Sequence, residues 1–236
     1  SNFTSFLSRG GKITMAGSAS ANEVAPTGFA VGSTTYASGV RLGSAAAASN
    51  LTISSDGGDI LIQGTTGRNI TDAMGVLQYG GSTINSGAGG IKIDARTTAS
   101  TGTINGHGME LGFAGTAPTV ITSSKSSDTA IDINGQTQGS SSDAKGVNFW
   151  SGTADNYVKI SATGTAGNVS ISGSASTSTQ PGISMNWARV LSKGGTVTLN
   201  SGTNPTAFGN NSSTGAIHIG ADTNGGATGN IDINAG

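Results

Sequence analysis

"GGIKIDAR", residues 89–96, decides the fold. Ile91 and Ile93 alternate with Lys92 and Asp94 behind a pair of glycines. A period of two belongs to a strand with one buried face; a helix would need apolar residues three and four apart. The unit returns as "GKITMAG" (11–17), "GDILIQG" (58–64), "AIDINGQ" (130–136), "GNVSISG" (167–173), "GTVTLNS" (195–201) and "GNIDINA" (229–235). Its first apolar residues are Ile13, Ile60, Ile91, Ile131, Val169, Val197 and Ile231, spaced 47, 31, 40, 38, 28 and 34 residues apart.

Two further apolar clusters sit between successive copies. A second set comprises "GVRLGS" (39–44), "GVLQYG" (75–80), "GMELGF" (108–113), "GVNFWS" (146–151), "GISMNW" (182–187) and a weak "AFGN" (207–210). A third comprises "NLTISS" (50–55), "STINSG" (82–87), "TVITSS" (119–124), "YVKISA" (157–162), "RVLSKG" (189–194) and "AIHIGA" (216–221). β-Branched residues lead the inward sites, and Gly, Ser, Asn and Asp fill the connections. Helical patterning fails throughout; the Ala-rich run 43–50 is too short to stand alone.

Three strands per repeat of about 35 residues, with connections of unequal length, predict an all-β, right-handed parallel β-helix of six to seven coils. One coil cannot bury its own inward side chains. The next coil, about 4.8 Å along, pairs the backbone and covers the apolar row, while connections vary outside the stack. The whole chain, 1–236, reads as one such segment, a rod roughly 30 Å long on that spacing. Residues 21–39 read as an insertion or an extra coil. A propeller is disfavoured because its blades need four antiparallel strands. "TGNIDINAG" (228–236) reads as the first strand of a seventh coil with no cap. The expectation is a rod continuing past Gly236, with completion by another subunit as the alternative.

The columns give side-chain expectations. Along the first set the outward residues run Thr14, Leu61, Lys92, Asp132, Ser170, Thr198, Asp232, so Lys92 meets Asp132 on adjacent coils. The next outward column runs Ala16, Gln63, Asp94, Asn134, Ser172, Asn200, Asn234, suited to amide hydrogen bonding along the stack.

Composition limits the chemistry. Charged residues are 10% of the chain against about 25% in an average domain. A net charge of -1 supplies no basic field for nucleic acid. There is no cysteine, hence no disulfide and no thiolate metal site. That composition suits a chain threaded unfolded through a membrane pore. No run of 18 apolar residues is present to cross a bilayer as a helix. The opening "SNFTSFLSRGG" carries neither initiator Met nor signal peptide, as in a processed or cut chain.

Few motifs carry chemistry. "DGGDILIQG" (56–64) echoes the calcium β-roll nonapeptide once and imperfectly, and reads as a coil corner. No metal or cofactor is expected. A polysaccharide lyase or hydrolase needs carboxylates converging in a groove. Lys92, Asp94 and Asp132 are the best such cluster, and a cross-coil charge pair is the favoured reading of it. His107 and His218 read as surface or corner residues. Trp150 points outward by alternation and could stack on a sugar ring, unless a connection covers it. Trp187 has the opposite parity and is expected to pack. Asn-x-Ser/Thr triplets begin at Asn2, Asn50, Asn69, Asn168, Asn210 and Asn211, and permit glycosylation without showing it. P-loop, dinucleotide, Ser-hydrolase and Arg-Gly-Asp motifs are absent.

The units "GGIKIDAR", "TAIDING", "AGNVSISG" and "TGNIDINAG" resemble the repeats of filamentous haemagglutinin-like bacterial exoproteins of two-partner secretion, with autotransporter passengers as relatives. The resemblance spans nearly the whole chain. It implies a secreted β-helical rod at the bacterial cell surface, exported through an outer-membrane β-barrel and serving adhesion or biofilm cohesion. Implied partners are host or bacterial surface glycans or proteins, or like rods end to end or side by side. The family's amino-terminal secretion domain is not recognisable, and the expectation is an interior stretch of such a rod. The expectation is therefore a structural, non-enzymatic segment of a fibrous adhesin or extracellular filament. The alternatives are a polysaccharide-active β-helix enzyme or phage tailspike, and a glycan-binding module using Trp150.

Overall fold

The computed structural model describes residues 4–19, 27–28, 31–32, 36–43, 51–67, 70–98, 105–114, 116–141, 143–150, 154–208, 218–221 and 230–234. The chain winds through three sheets in turn, adding one parallel strand to each per coil. It is a three-sided parallel β-helix.

Sheet 1 holds the first set: Ile13–Ala19, Ile60–Thr66, Ile91–Thr97, Thr129–Thr137, Asn168–Ser174, Thr196–Asn200 and Asn230–Asn234. Sheet 2 holds the second: Tyr36–Leu42, Asp72–Tyr79, Asn105–Phe113, Val147–Phe149, Ile183–Met185 and Thr206–Phe208. Sheet 3 holds the third, Leu51–Ser54, Thr83–Asn85, Thr119–Ser123, Val158–Ala162, Ala188–Ser192 and His218–Ala221. It also holds Thr4–Leu7, a strand outside the repeat pattern of the sequence. That strand has no preceding glycine, but Phe6 stands opposite Ile53 and packs on the core. Ala207 and Phe208 of the weak "AFGN" lie in a strand in register, Ile183 opposite Thr206 and Met185 opposite Phe208, while 209–210 lie outside the described residues. Asn230–Asn234 pairs residue for residue with Thr196–Asn200.

Within 21–39, Thr27–Gly28 pairs antiparallel with Gly17 and Ser18, and Val31–Gly32 pairs antiparallel with Ala37 and Ser38. These two short strands stand at one edge of sheets 1 and 2, and such a reversal blunts the edge. Residues 21–26, 29–30 and 33–35 lie outside the described residues.

The core is a stack of aliphatic columns. Ile60, Ile91, Ile131, Val169 and Val197 lie in one register line of sheet 1, each 2% exposed or less. Ile53, Ile84, Ile121, Ile160 and Val190 form the matching line of sheet 3. Each buried side chain of this size contributes about 1.5–3 kcal/mol.

Two devices hold the corners. Between sheets 3 and 1, fully buried serines donate to carbonyls: Ser86 to Gly89 at 2.6 Å, Ser123 to Gly89 at 2.7 Å and Ser192 to Gly167 at 2.8 Å. Between sheets 1 and 2 the backbones touch along a glycine seam. A Cβ on Gly75 would stand 2.1 Å from Arg96 N, and one on Gly135 would stand 2.2 Å from Gly146 O. Only glycine allows that approach. Beyond the seam, Thr97 Oγ1 donates to the carbonyls of His107 and Ala73, and Thr137 Oγ1 to that of Gly106.

Candidate functional site

The outer face of sheet 1 brings the charged candidates together. Lys92 stands opposite Asp132, and Asp94 opposite Asn134. Lys92 Nζ lies 3.6 Å from Asp94 Oδ2 and 3.8 Å from Asp132 Oδ2. Asn134 Nδ2 donates to Asp94 Oδ1 at 3.1 Å, one rung of the amide column. With Lys92 52% exposed, each ion pair contributes about 1 kcal/mol or less. The cluster thus ties neighbouring coils, with both carboxylates engaged by one ammonium.

Beside it, the same face carries a shallow groove of about 190 Å³ between Asn134, Gln136, Ser172, Ser174 and Asn200. Its walls are amides and hydroxyls, able to exchange hydrogen bonds with a polar ligand but offering no charge.

Trp150 is 44% exposed, and its backbone N–H donates to Leu111 O at 2.8 Å. Trp187 is half-buried with a positive φ of 49°. The calcium echo is a turn: Asp56 has φ 51°, and Asp59 Oδ1 accepts from Gly90 N of the next coil at 2.7 Å. The amide oxygen of Asn168 accepts from Thr196 N at 2.7 Å. The triplets at Asn2, Asn50, Asn69, Asn210 and Asn211 begin outside the described residues, and so do the side chain of His218 and all of Glu23.

His107 overturns its surface reading. It is 3% exposed, on a stretch of sheet 2 that is covered on its outer side as well. Met74 and Leu77, opposite His107 and Glu110 in the ladder, are buried in a second apolar cluster with Tyr79 and Phe113. Tyr79 and Phe113 meet edge to face at 5.4 Å, and the Arg41 guanidinium lies 4.7 Å over the Tyr79 ring. His107 and Glu110 therefore sit in apolar surroundings. Asn148 Nδ2 donates to Glu110 Oε1 at 3.1 Å and lies 3.5 Å from His107 Nε2; that nitrogen is 4.0 Å from Glu110 Oε1.

Burial pushes the Glu110 carboxyl up to about 8, against smaller opposing effects of the Asn148 hydrogen bond and Lys145. Asp72 adds to the rise. Burial, aided by Lys145, pushes His107 down to about 3. Both groups are neutral when folded at pH 7, the cheaper state in a dry site. His107 Nδ1 and Glu110 Oε2 are buried without hydrogen-bond partners. Perturbed titratable pairs of this kind mark catalytic sites in many enzymes. Here both side chains are only 4% exposed, so the pair stands as a buried polar tie between the third and fourth strands of sheet 2.

No protein-family model, curated protein or solved structure matches the chain.

Proposed function

We propose that the chain is a structural segment of a secreted, cell-surface fibrous adhesin or extracellular filament, acting as a stiff spacer in adhesion or biofilm cohesion. One observation carries this reading. Three parallel sheets stay in register coil after coil around a single continuous apolar core. Stacked backbone ladders of that kind resist bending and proteolysis, since an internal strand cannot leave without opening two neighbours. Low charge and outward columns of Ser, Thr and Asn favour close approach to glycans or to like rods. Export through an outer-membrane β-barrel, which requires an unfolded chain, fits the absence of cysteine.

Beads coated with the purified segment test the reading. They are expected to cohere or to attach to cells, while released reducing ends from a polysaccharide panel stay at background. Reducing-end release by the wild type, abolished by Asp94→Asn or Asp132→Asn, would replace the structural reading with an enzymatic one.

A further inference from the structure

The two outer faces treat charge differently. On sheet 1 the charged rung is complementary, Lys92 opposite Asp132. On sheet 3 it is not. The outward column there runs Thr52, Thr83, Val120, Lys159 and Arg189, with His218 next in register. Lys159 and Arg189 are direct neighbours across one rung, where like charges repel. Lys193 follows at the end of the Arg189 strand. Among the described residues none of these three cations makes an ion pair, whereas Lys92 pairs with both Asp94 and Asp132. Arg189 is exposed and its guanidinium lies 4.1 Å over the Tyr157 ring, a cation–π contact.

A fold that stacks like charges without internal counter-ions keeps a local conflict, and such conflicts gather at functional sites. We propose that the outer face of sheet 3 binds an acidic polysaccharide, whose anionic groups are met by Lys159, Arg189 and Lys193. Arg189 presents a fork suited to carboxylate or sulfate, and Lys159 a point charge one strand spacing, about 4.8 Å, away. The half-buried Thr52 and Thr83 extend the column with hydroxyls that match the neutral positions of a sugar chain. Single-stranded nucleic acid fits less well. It needs an aromatic platform for its bases, and the Tyr157 ring is already covered by Arg189. This site stands whether or not the rod belongs to an adhesin.

The test is retention of the purified chain on resins bearing polygalacturonate, dextran sulfate or neutral dextran at low salt. Retention on one or both acidic resins, none on dextran, and loss of binding with added salt are expected; the two acidic arms tell carboxylate from sulfate. Lys159→Thr with Arg189→Thr should weaken binding at least tenfold, whereas Lys92→Thr on the other face leaves it unchanged. Melting temperature separates binding from folding. The double variant should melt at or above the wild type, since a repulsive rung is gone, and the acidic polymer should raise only the wild type. The proposal is overturned if the wild type ignores both acidic resins, if the double variant binds as well, or if single-stranded DNA binds as tightly.

Discussion

The glycine seam gives the sharpest prediction, because a glycine within it and a glycine outside it differ in what surrounds them. Alanine at Gly75 would put its Cβ 2.1 Å from Arg96 N, 2.7 Å from Gly108 O and 2.8 Å from Ala95 C. Every one of these atoms is backbone. Ordinary contact begins at 3.4 Å, so sheets 1 and 2 would have to part by about 1.3 Å at this coil. Nothing flexible can absorb the shift. Overpacking a closed core costs about 1–3 kcal/mol and sometimes more, and a contact made only of backbone belongs at the upper end. The separation also pulls the Thr97 hydroxyl from the carbonyls of Ala73 and His107, which adds about 1 kcal/mol. The expected loss for Gly75→Ala is therefore about 3–4 kcal/mol.

Gly90→Ala is the matched control. Its Cβ would meet nothing closer than Asp59 Oδ1 at 3.5 Å, and its φ lies outside the left-handed range. There the alanine restricts the unfolded chain and should stabilise by about 0.4–1 kcal/mol. Urea titration followed by circular dichroism gives the global difference. Solenoid stability adds coil by coil, so hydrogen exchange localises the change, with amides of 73–76 and 95–97 losing protection first. Equal stability of the two variants would refute the seam as a close backbone contact.

Two further substitutions probe the covered part of sheet 2. Gln78 lies in an inward column between Leu42 and Leu111, and neither its amide nitrogen nor its oxygen has a hydrogen-bond partner; Gln78→Met should raise the urea midpoint by the equivalent of about 1–3 kcal/mol, and a lower midpoint would show that the amide is satisfied. Glu110 and His107 set opposite limbs of the pH profile. The Glu110 contribution is whole below its unfolded value of 4.5 and is lost as pH rises toward 8, while that of His107 is whole above 6.5 and is lost as pH falls toward 3. Between 4.5 and 6.5 the two slopes cancel, so unfolding free energy should be flat there and fall by about 1.4 kcal/mol per pH unit from 6.5 to 8. Glu110→Gln should flatten that alkaline limb alone; an unchanged limb would assign it to another group.

What the sequence discloses depends on which side of the strand a residue occupies. Inward columns are legible because burial demands an apolar residue at every second site, and Ile60, Ile91 and Ile131 repeat that demand one coil after another. Thr4–Leu7 escapes notice because its residue opposite Leu51 is Thr4 and its Leu7 is 70% exposed, so the apolar alternation that marks the other strands is broken. The glycine that opens five of the six second-set units is visible, but its cause is a neighbouring backbone, and no periodicity names a neighbour. The covered outer face of sheet 2 did leave a trace. In "AMGVLQYG", residues 73–80, the outward Leu77 and Tyr79 are apolar and the inward Gln78 is polar, an inversion of the pattern. A covered Leu77 points to cover over Glu110 in the next coil, which the ladder sets beside it. That inference rests on laying out the second-set columns as the first-set columns are laid out, and the same step in the third set gives the repulsive rung of Lys159 and Arg189. The repeating core specifies a rod, and many sequences would serve it equally well. The outward columns are under no such demand, so the features peculiar to this rod are to be sought there: one face neutralised within the chain, and one left charged toward whatever the rod meets.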